Sequence, residues 1–294
     1  MAASSTTDPT TARPAPRSTA PIVPPQVSNL VLWIATGGFA LWGLAWIFLI
    51  PNHSSRLGWV LQTVGPLLIA AGIIMFTESL VARVGRGVVA LTAVGSICAG
   101  LSTVTFAVDP KNLATEGHVR YGYGGYAVGA LLGAIALALV IARTERELTA
   151  AGSRPSPPCP IGCHCGTIIH SSFVSVTTGA AGLLIWGIGF AVHVVQPQGT
   201  SLGWVLSAIG VLLLGASFAL HTDHLTQRFG GAATILGIVS LLAWVVGYAL
   251  QAIKPNASPL SDWYTYLFAA YAVGHLLSAL ALVMIVRRKA QLPE

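Results

Sequence analysis

The chain has 294 residues, of which 54% are hydrophobic and 8% charged. An ordinary soluble domain carries about a quarter charged residues, so this composition excludes a water-soluble globular protein and points to a bilayer. The net charge of +6 comes from basic residues in short groups between apolar runs. They make no continuous face that could follow a phosphate backbone, and no nucleic-acid partner is expected.

Residues 1–28 are rich in Pro, Ser, Thr and Ala, with Pro9, Pro14, Pro16, Pro21, Pro24 and Pro25 opposing regular helix, and read as a disordered tail. No basic start, short apolar stretch and small-residue cleavage site precede Leu30, so the first apolar run is expected to persist in the mature protein. Eight runs then follow, near 30–50, 58–76, 88–108, 122–142, 172–195, 202–220, 232–253 and 264–286. A hydrocarbon core of about 30 Å takes about 20 helical residues, which each run supplies. The runs are continuously apolar and lack the alternation of barrel strands. Trp33, Trp59, Trp204 and Trp263 fall near helix ends, where an indole is expected to keep its ring in lipid and its N–H among headgroups.

The fourth and eighth runs are related. Residues 126–143, YAVGALLGAIALALVIAR, return at 271–288 as YAVGHLLSALALVMIVRR, with ten of eighteen positions identical. The offset of 145 also relates LGWVL at 57–61 to LGWVL at 202–206, and Thr77, Leu80, Arg83 and Gly85 to Thr222, Leu225, Arg228 and Gly230. Long fixed-period similarity sets the architecture. The expected fold is therefore an all-α integral membrane protein with eight transmembrane helices, arranged as two tandem four-helix bundles: repeat 1 at 29–143, repeat 2 at 172–288, a linker at 144–171 and a short tail at 289–294. Four crossings per copy return the chain to its starting side, which makes the repeat parallel, with a pseudo-two-fold axis along the membrane normal. The many glycines within the runs are read as close helix packing.

Basic loops are retained in the cytoplasm. Eleven Lys and Arg fall on the side of both tails and the linker, against four (Arg56, Lys111, Arg120 and Lys254) on the other. Cytoplasmic N- and C-termini in the cell membrane are the expectation.

The linker carries PPCPIGCHCGTIIH. Cys159, Cys163 and Cys165, with His164 or His170, offer soft ligands for zinc or copper. The spacing C-x-x-x-C-x-C is not the usual paired C-x-x-C, and the plain alternative is three reduced thiols in a cytoplasmic loop. Cys98 reads as a small apolar residue. The conserved-in-both-copies charges, Glu78 with Arg83 and Asp223 with Arg228, read as surface anchors at a turn.

Ionisable residues within a bilayer are costly and often functional. The middle thirds of the runs hold no Asp, Glu, Lys or Arg, which leaves histidine. His275 stands where the first copy has Ala130, Ser278 where it has Gly133, His221 where it has Phe76, His224 where it has Ser79 and His193 where it has Leu49. Any ligand is therefore expected in the second copy, at His275, His193 and Ser278. One version is a b-type haem between His193 and His275. Depth opposes it, because His275 lies about 12 to 17 Å below the outer end of its helix while His193 lies within a turn of its own. A hydrogen bond from His275 to a neighbouring helix would satisfy the ring without a ligand. Walker-type, H-E-x-x-H and strand-following G-x-S-x-G motifs are absent.

Three functions fit: a non-enzymatic membrane protein, acting as an accessory subunit to a membrane-protein partner or as a binder of an apolar ligand in the second bundle; a small-solute transporter; and a haem- or metal-binding redox protein.

Overall fold

The computed structural model describes residues 28–77, 81, 84–111, 116–150, 169–196, 200–255 and 262–290. Regular structure among them is helical throughout: α1 (Asn29–Leu49), α2 (Arg56–Met75), α3 (Arg86–Leu101), α4 (Val104–Val108), α5 (Glu116–Ala150), α6 (Ile169–Val195), α7 (Ser201–Ala219), α8 (Thr222–Phe229), α9 (Gly231–Ile253) and α10 (Asp262–Ala290). Eight crossings, with α3 and α4 together forming the third, are long and apolar enough to span a membrane. The chain is a multi-pass membrane protein. Its outward faces carry exposed apolar side chains such as Leu44, Ile47 and Phe48 on α1 and Val60 and Val64 on α2, as contact with lipid requires.

Two elements differ from the sequence expectation. The third crossing is not continuous: it turns at Ser102 and Thr103, whose hydroxyls donate back to the carbonyls of Ala99 (2.6 Å) and Gly100 (3.3 Å). The fourth helix runs on to Ala150, past the expected end of the repeat at 143. Its continuation, TERELTA, contains strong helix formers that need no apolar face to remain helical beyond the bilayer.

Residues 145 apart play matching parts. Ser55 caps α2 by accepting from Gly58 N–H at 3.2 Å, and Thr200 caps α7 by accepting from Gly203 N–H at 3.5 Å. Gly85 and Gly230 both have positive φ, +94° and +95°, in a region open to glycine alone. They turn the chain into the third and seventh crossings, and beside them lie the guanidinium groups of Arg143 and Arg288 respectively. Glu78 and Arg83, and the side chain of Arg228, lie outside the described residues.

Helix crossings are equally matched. A Cβ on Gly65 would stand 2.8 Å from the Gly38 carbonyl and 2.8 Å from Trp42 Cβ, and one on Gly210 would stand 2.7 Å from the Gly182 carbonyl and 2.7 Å from Trp186 Cβ. Gly43 of α1 lies against Leu276 and the Ala272 carbonyl of α10, as Gly187 of α6 lies against Leu131 and the Ala127 carbonyl of α5. Among the described residues the principal packings run in a closed order, α1, α2, α3, α5, α6, α7, α9, α10 and back to α1. In that order the fourth crossing of each half meets the first crossing of the other half, so the halves close on one another.

The interior of this ring is aromatic and weighted to the second half. Leu49 and Ala127 come from the first half, while Phe190, Trp204, Val211, Tyr248, Leu267, Phe268 and Tyr271 come from the second. Trp204 corrects the expectation of an interfacial belt. It is 4% exposed and packs on His193, Tyr123 and Tyr248. Its position near a helix end sets its depth, but its helix face points inward. Trp33, half exposed, matches the belt better.

Candidate functional site

On α10 the stretch from Tyr271 to Ser278 turns one face to α1 and α9. His275 sits in that face, 3% exposed, one helical turn beyond Tyr271. Its Nδ1 lies 2.6 Å from the Tyr271 carbonyl. A carbonyl only accepts, so Nδ1 carries the proton and Nε2 keeps its lone pair. Around the imidazole stand two indoles, Trp42 of α1 at 4.3 Å and Trp244 of α9 at 4.5 Å between ring centroids. Phe39 and Trp46 of α1 follow at 6.5 Å. Trp244 can approach because Gly274 presents no side chain, and a Cβ there would collide with the indole.

The polar atoms of this group are poorly matched within the protein. His275 Nε2 and the Nε1 atoms of Trp42, Trp46 and Trp244 are all buried, and none has a hydrogen-bond partner among the described residues. An unmet buried group costs about 1–3 kcal/mol, and the three indoles that carry the unmet donors have ring centroids 4.3, 4.5 and 6.5 Å from the imidazole. No Asp, Glu, Lys or Arg occurs among the described buried residues, so the surroundings are uncharged.

The other residues singled out in the sequence are distributed elsewhere. Ser278 donates to Ser240 Oγ at 3.1 Å, and Ser240 donates to the Gly237 carbonyl at 2.7 Å; this ties α10 to α9. His193, 1% exposed, packs on Trp204 at 4.0 Å and Tyr123 at 5.1 Å, with its ring over Gly203. Leu49 stands over Gly58 in the same way, so His193 fills an apolar residue's place. His193 and His275 share no ring neighbour, and the haem arrangement between them is not assembled. Cys159, Cys163, His164 and Cys165 lie outside the described residues; His170 falls within α6, with its side chain outside the description.

Three participants were missed in the sequence: Trp42, Trp46 and Trp244. The available signal was Trp42 and Trp244 well inside their helices, where lipid-facing positions favour aliphatic side chains, with Trp46 four residues after Trp42 in the last turn of α1. Gln62 was also missed. It is 0% exposed, lies opposite the lipid-facing Val60 and Val64, and has neither amide atom bonded among the described residues. His53, in the connection from α1 to α2, packs edge-on to Tyr264 and Phe268, and burial holds its pKa below the ordinary histidine value.

Comparison with protein-family models, with curated proteins and with solved structures finds no match to this chain.

Proposed function

We propose that this multi-pass membrane protein binds a small uncharged ligand within the bilayer, at His275 where the two halves meet. The observation that carries this reading is the concentration of unpartnered buried polar atoms, His275 Nε2 and three indole Nε1, around one imidazole. An uncharged interior favours a neutral apolar ligand over an ion or charged solute, which would be buried without a counter-charge. The first copy offers Ala130 at the same position, so the site belongs to the second copy, with Trp42 and Trp46 contributed by α1.

The reading includes the architecture: a duplicated four-crossing unit in parallel orientation, the halves related by rotation about the membrane normal. The recurrence at 145 residues and the matched glycine contacts support it.

His275→Ala restores the residue of the first copy and tests the site. Organic extracts of the purified wild type are expected to contain a neutral small molecule, seen by mass spectrometry, that is depleted at least several-fold from the variant at equal melting temperature. Identical extracts would remove the assignment.

Orientation is proposed from the eleven to four division of basic residues. In a Cys-free background, Ser54→Cys is expected to react with an impermeant maleimide in intact cells, and Arg146→Cys only after permeabilisation. Both side chains are exposed, so the reverse pattern would invert the topology.

A further inference from the structure

The hydrogen-bond roles at His275 restrict what can bind there. We infer that the group presented to His275 is the hydroxyl of a flat, membrane-soluble aromatic ring, a phenol or quinol; this rests on the proposed ligand site. With Nδ1–H committed to the Tyr271 carbonyl, Nε2 needs a donor, while the indoles of Trp42, Trp46 and Trp244 need an acceptor. A carbonyl leaves Nε2 unmet. A carboxylate or ammonium would lie among side chains with no charge to answer it. A hydroxyl serves both roles from one oxygen, donating to the imidazole and accepting from an indole. The surrounding Trp42, Trp244, Trp46 and Phe39 rings suit a flat ring by edge and face contact.

The second half supplies an internal control. Trp186 occupies in α6 the place that Trp42 holds in α1, each lying against its matching glycine, Gly210 or Gly65. The Trp186 indole is satisfied: it donates to the phenol oxygen of Tyr248 at 3.2 Å. At an offset of 145 the residue matching Tyr248 is Thr103, whose hydroxyl is occupied with the Gly100 carbonyl and Thr63 Oγ1, 2.9 Å away. Trp42 therefore lacks the phenol that its counterpart has, and beside it stands a histidine where the counterpart has Ala130. One half meets its indole with a tyrosine; the other is built to meet it with a phenol from outside the chain.

The test uses the full-length protein in nanodiscs with two probes of nearly equal shape, 2-naphthol and its methyl ether, 2-methoxynaphthalene, and empty nanodiscs as the background. Wild type is expected to bind the naphthol about tenfold tighter than the ether, the effect of one buried hydrogen bond to the ring nitrogen. His275→Ala is expected to reduce that ratio to about one. Trp42→Phe, which keeps an aromatic ring and so guards against a folding failure at His275, is expected to weaken both probes several-fold, because either oxygen accepts from the indole, and to leave the preference for the naphthol in place. Equal binding of both probes to wild type, or a preference that survives in His275→Ala, overturns the hydroxyl inference while leaving a ligand site in place. Binding of neither probe above empty nanodiscs overturns both this inference and the site. A Soret band in the purified protein would assign Nε2 to haem iron and overturn the inference in another way.

Discussion

Gly210→Val is expected to destabilise the protein by about 3 kcal/mol or more, at the upper end of overpacking effects. A Cβ at Gly210 would stand 2.5 Å from Trp186 N and 2.7 Å from the Gly182 carbonyl. Both are backbone atoms of α6, held in its hydrogen-bond ladder, so neither can move aside as a side chain does. Relief requires the α6–α7 crossing to widen, which separates His193 from Trp204 and disrupts the aromatic interior. Thermal unfolding in detergent, followed by size-exclusion recovery, is the measurement. Gly37→Ala is the control: nothing lies within 4 Å of a Cβ there, and the change is expected to be neutral or to stabilise by about 0.5–1 kcal/mol through helix propensity. Similar losses in the two variants would mean that the close crossing contributes nothing.

Trp204→Ala is expected to lose about 3–5 kcal/mol, as for other buried aromatic truncations. Its indole is 4% exposed and touches rings from α5, α6 and α9: Tyr123, Phe190, His193 and Tyr248. Removing it leaves a hole where several helices meet, and relaxation of one helix cannot close it. Trp59, its match in the repeated LGWVL, is only half-buried; it packs on Phe106 and donates to the His53 carbonyl at 2.7 Å. Trp59→Ala is accordingly expected to be clearly milder. Equal melting midpoints for the two variants would return Trp204 to the interfacial position that its sequence location suggests.

The contrast between Trp59 and Trp204 marks how far the sequence is readable. Eight apolar runs became eight membrane-crossing helices because transfer into hydrocarbon depends on the composition of each segment and needs no knowledge of its neighbours. Helix breaks were less legible. The third crossing turns at Ser102 and Thr103, where Ser102 bonds only within its own helix while Thr103 also reaches Thr63; Ser175 bonds across to Ser217, and the sequence does not distinguish these uses.

His275 stood out in the sequence because residues 271–288 resemble 126–143, and an imidazole in the place of Ala130 is costly in a bilayer whatever surrounds it. Even its Nδ1 bond, to a carbonyl four residues earlier, is local to one helix. The same comparison singled out His193 and Ser278, which pack on Trp204 and donate to Ser240 respectively. What surrounds His275 depended on the tertiary structure. In soluble helices an apolar stripe points to the core, but in these segments almost every face is apolar, so the rotation of each helix has no signature in its sequence. Close packing through Gly65 and Gly274 and the closed order of the eight crossings bring Trp42 and Trp244, from opposite halves of the chain, to the two sides of one imidazole.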